Sequence, residues 1–398
     1  MEGFSNRFLP ATPSQISVMG TGSGRATSAA SYMPQLDGLR AIAFIAVAVS
    51  HWAPDFLTRM VPWGTGVQLF FVLSGFLITG ILLRSRPAEL GIPLRHVLKV
   101  FYARRILRIF PLYYGVIALA LIFSLGPIAT TWPWHVAYVS NIHYAFSGHA
   151  DMFKDPFLHL WSLSVEEQFY LIWPFVVLVT NRRTLPFILV GTIVGSGIFR
   201  VGIDQLVPQI VSVRYLTPSC LDALAIGGLV AYVAHERGPA GVRRLSIICG
   251  WVSIIGLAVC VIPLARVIDR DVAHRFGHTF LVLFYGVLVA RASQGFEWYP
   301  GKLLGLRPLR YLGKISYGLY VYHYFAPLLV HRFARFFGYE SLLHEKAIAI
   351  SAYAVFTLAA AAVSWHLYEH PINNLKRYFA YPRPTRLAVA PTTAVAYP

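Results

Sequence analysis

The chain has 398 residues, of which 56% are hydrophobic and only 13% charged, and its mean hydropathy is +0.57. Soluble domains carry about 25% charged residues, and apolar stretches of spanning length recur here from residue 36 to residue 370, so a soluble globular fold is excluded. The formal net charge of +17 would suggest nucleic acid in a soluble protein, but here the basic residues cluster between apolar spans as topology signals, and no nucleic-acid partner is expected.

Residues 1–31 are rich in Ser, Thr, Gly and Ala and contain no apolar core, so they read as a disordered cytoplasmic tail rather than a cleaved signal peptide. Residues 379–398 read as a second disordered cytoplasmic tail, leaving residues 32–378 as one membrane domain with no internal repeat. The three cysteines, Cys220, Cys249 and Cys260, lie in apolar segments without CxxC spacing, which indicates neither a disulfide framework nor a zinc site.

A helix crosses the bilayer in about 20 apolar residues. Ten such spans are predicted, at roughly 36–54, 66–83, 109–126, 158–180, 185–203, 219–234, 245–265, 277–291, 315–330 and 347–367. Loops on the side of the N-terminus carry most of the 34 Lys and Arg, including Arg84, Arg86, Arg95, Lys99, Arg104, Arg105 and Arg108 between the second and third spans. This asymmetry predicts an all-α, multi-pass protein of the inner (plasma) membrane with both termini cytoplasmic, which an even number of spans satisfies. The longest outer loop, 127–157, carries only Lys154 and is rich in aromatic residues and His.

Ionisable groups inside spans are costly and therefore candidate functional residues. The first span contains Arg40 and, eleven residues later, His51. At about 100° per residue the two return to within about 20° of one face, about 16 Å apart along the axis. An interfacial Arg and a helix-capping His would account for the same residues. The fourth span carries adjacent carboxylates, Glu166 and Glu167. Helix rise places Glu166 about 12 Å from the outer end and His51 about 22 Å from the inner end of a core about 30 Å thick, so a His51–Glu166 pair is within reach. Such a pair suits general-base chemistry on a hydroxyl. A structural Glu satisfied by Ser or Gln neighbours is the plainer alternative.

Arg105 and Arg108 share a helix face at i, i+3, and forked guanidinium groups suit phosphates, although a topology anchor explains them equally well. His51-x-x-x-Asp55 imitates a soluble acyltransferase motif, but Pro54 is expected to end the helix before Asp55. His274 and His278 could share a helix face without a third metal ligand, and His135, His143 and His149 read as loop or interface residues, so no metal site is expected.

Taken together, the ordered blocks LDGLRAIAFIAVAVSHW at 36–52, GVQLFFVLSGFLITGIL at 66–82, FYARRILRIFPLYY at 101–114, WSLSVEEQFYLIWP at 161–174, YLGKISYGLYVYHYF at 311–325 and YEHPINNLKR at 368–377 resemble the membrane acyltransferase-3 family. These are bacterial O-acyltransferases that modify surface polysaccharides and some secondary metabolites. The resemblance covers about residues 33–377. It implies an essential Arg40–His51 pair, a cytoplasmic RxxR at Arg105 and Arg108, an acidic site residue at Glu166 with Glu167 beside it, an SGF turn at Ser74, Gly75 and Phe76, and a ninth-span block with Ser316, Tyr317, Tyr320 and His323. Where relatives often have Glu-Arg-Pro, this chain has Glu369-His370-Pro371, and the C-terminal hydrolase-like domain of some relatives is not seen in it.

The expectation is therefore transfer of a short acyl group, acetyl above all, from cytoplasmic acyl-CoA to a hydroxyl of a lipid-linked or surface glycan. Acyl-CoA would be a co-substrate, with no permanently bound cofactor. Arg40, Arg105 and Arg108 would hold the CoA phosphates, His51 and Glu166 would do the chemistry, and Ser74, Glu167, Tyr320 and His323 would line the substrate site. The rival reading, a glycan or lipid transporter or flippase, predicts inverted repeats and matched broken helices, which the chain does not display.

Overall fold

The computed structural model describes residues 33–60, 63–147, 155–261, 270–296 and 299–381, and among them every regular element is helical. The tail predicted at 1–31, His149, the side chains of Asp55 and His274, and residues 382–398 lie outside the described structure. Six helical stretches are long and apolar enough to cross a membrane: Gly66–Leu90, Leu94–Ile122, Leu158–Val179, Leu185–Ile203, Thr217–Cys260 and Lys346–Tyr378. This is the architecture of a multi-pass membrane protein.

Helix α1 (Pro34–Trp52) opens with Pro34 and Asp37 in its first turn, residues that suit unsatisfied N–H groups and the positive end of the helix dipole, and it stops before Ala53-Pro54. Helix α2 (Gly66–Arg84) follows without a break through Ser74-Gly75-Phe76, so the expected SGF turn is absent. Gly75 has a different purpose. A Cβ there would overlap the Leu224 carbonyl, and a Cβ on Gly227 would overlap the Val72 carbonyl, so the two glycines let two backbones touch, as small residues do in membrane helix packing. Gly38 and Gly313 act alike, against the Leu304 and Asp37 carbonyls, and dock the foot of α1 on the segment ahead of residue 315.

Helix α3 (Leu94–Ile122) begins fifteen residues before the predicted third span because no Gly or Pro interrupts it between Pro93 and Pro111. Arg105 and Arg108 therefore belong to a membrane helix itself. The expected loop at 127–157 contains two short helices, α4 (Ile128–Val136) and α5 (Ser140–Phe146). Helices α6 (Trp161–Val179) and α7 (Leu185–Leu206) follow. Arg86 donates to the Val177 and Thr180 carbonyls at 2.7 and 2.6 Å, so one of the presumed topology arginines also caps the C-terminus of α6.

Helix α8 (Thr217–Val261) is broken at Gly238, which has φ 61° and precedes Pro239. Leu229 and Val230 line one apolar space with Leu245 and Cys249, residues that a straight helix would hold more than about 20 Å apart, so the two halves fold back on each other. Helix α9 (Arg270–Gln294) packs on them. The predicted ninth span, 315–330, is two helices, α10 (Ser316–Tyr322) and α11 (Ala326–Phe336), with a break at residues 323–325 just ahead of Pro327. Helix α12 (Lys346–Ser364) completes the set. Beyond it, Arg104 donates to the Lys376 and Phe379 carbonyls at 3.1 and 2.8 Å, holding the chain past the predicted end of the domain.

Candidate active site

Five helices, α1, α2, α3, α6 and α10, enclose a cavity lined by Arg40, Arg105, Arg108, Ser74, Glu166 and Tyr320, among others. All three predicted phosphate-binding arginines thus face one space. Arg40 keeps Asp37 within 3.7 Å one turn below it, and Arg105 lies over the Tyr170 and Phe101 rings at 5.7 and 5.8 Å, where ring faces support a cation. Tyr170 in turn donates to Ser74 Oγ at 3.1 Å and Ser74 donates to Glu166. This chain fixes the carboxylate in a cavity with three positive charges, where it offsets their mutual repulsion.

Glu167, one residue on, is turned away by about 100°. It does not line this cavity, and its Oε1 is a buried atom without a hydrogen-bond partner. Glu167, expected to line the substrate site, is therefore not part of the arginine cavity.

A second group of residues stands at the other end of α1. His51, exposed in the last turn, points Nδ1 at His323 Nε2 at 3.0 Å. His323 is buried, and its Nδ1 lies 2.6 Å from the Tyr320 carbonyl. A carbonyl only accepts, so His323 must donate Nδ1–H there and keeps its lone pair at Nε2. His51 must then donate Nδ1–H to His323, which leaves the lone pair on His51 Nε2. The tautomer is the one a general base requires, fixed by an imidazole and a backbone carbonyl rather than by a carboxylate.

The expected His51–Glu166 pair is not formed: the partner of His51 is His323 and that of Glu166 is Ser74. The reason is the position of α2, which packs against both α1 and α6 and presents Ser74 to the carboxylate. Depth along the membrane normal, which made the pair plausible, says nothing about the helix that stands between.

Tyr320 joins the two groups. It lines the arginine cavity, donates to the His159 carbonyl at 2.9 Å, sits 2.5 Å from Ser162 Oγ, and has its ring centroid 5.4 Å from that of His323. His159, to which the sequence assigned no role, is buried with Nε2 on the Val321 carbonyl at 3.1 Å and its ring stacked on Tyr324 at 5.0 Å. It braces the break between α10 and α11 that aims His323 at His51. The signal was present: His159 is an ionisable residue within the predicted fourth span, two residues ahead of the block that contains Glu166.

Sequence reading also missed a buried pair, Arg200 with Asp222 at 2.6 Å, where Arg200 also reaches the Ser219 carbonyl at 2.6 Å and Thr279 donates to Asp222 at 3.2 Å. His278, set aside above as a metal ligand, has Nδ1 3.7 Å from the same carboxylate. Ionisable residues within predicted spans were the available signal. These contacts tie α7, α8 and α9 together away from the cavity. His135, expected in a loop or interface, is fully buried, with Tyr144 OH 3.4 Å from its Nε2 and Asp155 accepting from that hydroxyl at 2.6 Å.

The sequence matches the family model described as "Acyltransferase domain" over residues 33–369. It is 30% identical to the peptidoglycan O-acetyltransferase OatA of Listeria monocytogenes over 321 residues, 74% of this chain and 49% of that protein. It is 28% identical to the O-acetyltransferase OatA of Staphylococcus aureus over 370 residues, 86% of this chain and 57% of the relative. The putative peptidoglycan O-acetyltransferase YrhL of Bacillus subtilis is 29% identical over 375 residues, 86% of this chain and 55% of the relative. The chain thus spans about half the length of these curated relatives. No solved structure matches it. With the family model covering most of the sequence, and with its blocks assembled around one cavity and one histidine pair, the chain belongs to the acyltransferase family that this model describes.

Proposed function

We propose that this protein is a membrane O-acyltransferase that moves a short acyl group, acetyl in the first instance, from cytoplasmic acyl-CoA to a hydroxyl of an extracytoplasmic glycan. The observation that carries this reading is the two-ended arrangement along α1: three guanidinium groups around one cavity, and at the far wall Tyr320, beside the His323–His51 pair. Guanidinium forks suit the diphosphate and 3′-phosphate of CoA. Arg40 and His51 are separated by about 16 Å of helix rise, so the donor lies along α1 with its phosphates at one end and its thioester near the other.

His51 Nε2 takes the proton of the acceptor hydroxyl as that oxygen attacks the thioester carbonyl, and the CoA thiolate leaves. His323 holds the His51 ring and its tautomer. Glu166 serves the arginine cavity through Ser74 rather than orienting the base. The membrane domain is read as residues 32–378 with ten spans and both termini cytoplasmic, counting the two halves of α8 separately. The acceptor class follows the relatives, two of which are named for peptidoglycan O-acetylation; a cell-wall glycan is the first acceptor to try. Exposed Trp132 and Trp134 in α4 offer flat rings to the apolar faces of sugars.

The test is release of free thiol from acetyl-CoA by the purified protein, measured with and without peptidoglycan fragments or another glycan acceptor. Acceptor-dependent thiol release with an acetylated product supports the reading. Absence of both across glycan acceptors, with donor bound, sinks it.

A further inference from the structure

The arginine cavity stops short of the histidine pair: Tyr320 and Phe70 line it, and neither His323 nor His51 does. Tyr320, from α10, and Phe70, from α2, meet edge to face with ring centroids 6.0 Å apart and planes at 73°. Behind them, the His323 ring lies 5.4 Å from that of Tyr320 and 6.0 Å from that of Phe44. Phe70 packs on the apolar cluster that contains Phe44 and Ala48 of α1 and Leu319 of α10. Two aromatic side chains in contact therefore stand between the cavity and the imidazole that holds His51.

The two rings are held differently. Tyr320 is only 6% exposed, and its hydroxyl donates to the His159 carbonyl at 2.9 Å beside Ser162 Oγ at 2.5 Å, so turning it would break buried hydrogen bonds. Phe70 is half-buried and has no polar atom in its side chain, so packing alone keeps it in place and it is the leaf that can swing. A donor with its phosphates on Arg40, Arg105 and Arg108 brings its acyl end to this contact first. The distal part of the pantetheine arm is an unbranched chain, so an opening that admits the arm need be no wider than such a chain. A short straight acyl group has the same profile. A branched or aromatic one has a larger cross-section and must drive Phe70 further into close-packed neighbours, where added bulk is resisted.

We propose that Phe70, closing against Tyr320, is a specificity-determining residue of the donor site, which passes short straight acyl groups to His51 and holds back branched and aromatic ones. The proposal rests on the acyltransferase reading and adds to it the class of acyl group and the side chain that selects it.

The experiment supplies the full-length protein in detergent with acetyl-CoA, isobutyryl-CoA and benzoyl-CoA in turn, and compares kcat/KM for acylated glycan product between the parent and Phe70 variants. The parent is expected to favour acetyl over isobutyryl by about tenfold or more, the discrimination that small differences in apolar bulk supply. Phe70→Ala is expected to raise the isobutyryl-to-acetyl ratio by about tenfold or more and to admit benzoyl, and Phe70→Trp to lower the ratio. Phe70→Leu, a milder change, is expected to raise it by a smaller factor, which keeps the test decisive should the Ala variant fold poorly; CoA binding reports that each variant keeps its cavity. A parent that transfers acetyl and isobutyryl equally well, or Phe70→Ala and Phe70→Leu variants that transfer acetyl with the parental ratio, would overturn the proposal and leave the acyltransferase reading standing. Transfer of no acyl group by the parent across glycan acceptors, with CoA bound, would sink both.

Discussion

His51 Nδ1 and His323 Nε2 meet at 3.0 Å across 272 positions of sequence, and the Tyr320 carbonyl behind His323 decides which nitrogen of His51 carries the lone pair. A base at the end of α1 is thereby held ready at Nε2 by an imidazole and a backbone carbonyl, with no carboxylate bonded to it among the described residues.

From this geometry, His51→Ala is expected to lower acyl transfer by about 10²–10⁴-fold, the range general-base catalysis supplies, while expression and membrane insertion persist. His323→Ala is expected to lower kcat with the KM for the donor unchanged, because it frees the ring and tautomer of His51 without touching the arginine cavity. Steady-state kinetics on both variants checks this. Near-normal turnover in His51→Ala would remove it from the mechanism.

Arg105→Ala and Arg108→Ala are each expected to weaken CoA binding. A hydrogen bond to a charged group contributes about 1.5–3 kcal/mol, or roughly tenfold to a hundredfold in affinity. Calorimetry with CoA and with dephospho-CoA separates the 3′-phosphate from the diphosphate. If neither variant changes either affinity, the two residues are topology anchors only.

Gly75→Ala is expected to destabilise the protein by about 1–3 kcal/mol, the usual cost of forcing a methyl into a packed core, because its Cβ would overlap the Leu224 carbonyl. Gly191→Ala is the control, since a Cβ there meets nothing within 4 Å. Thermal unfolding in detergent should separate the two. Equal melting temperatures would refute the backbone contact between α2 and α8.

Acceptor acylation is expected on the face opposite the donor, since His51 is about 16 Å of helix rise from Arg40 and exposed at its own end. Oriented vesicles with acetyl-CoA on one side and an impermeant glycan on the other provide the measurement. Product formed only when both share one face would disprove transfer through the membrane.

Much of this was legible in the sequence for a physical reason. Apolar stretches long enough to span a bilayer announce themselves by composition, and helical periodicity places Arg40 with His51, and Arg105 with Arg108, on common faces. The block patterns also marked Ser74, Glu166 and Tyr320, which the structure brings to one cavity. Periodicity and depth describe a residue relative to its own helix and to the membrane; they do not say which neighbour packs on that face. That was decided by tertiary contacts. Gly75 and Gly227 bring α2 onto α8, α2 stands between α1 and α6, and Ser74 takes the carboxylate that sequence had offered to His51. The break ahead of Pro327 turns His323 to His51 in its place, since a local chain break can aim a side chain across the bundle where an unbroken helix would carry it past.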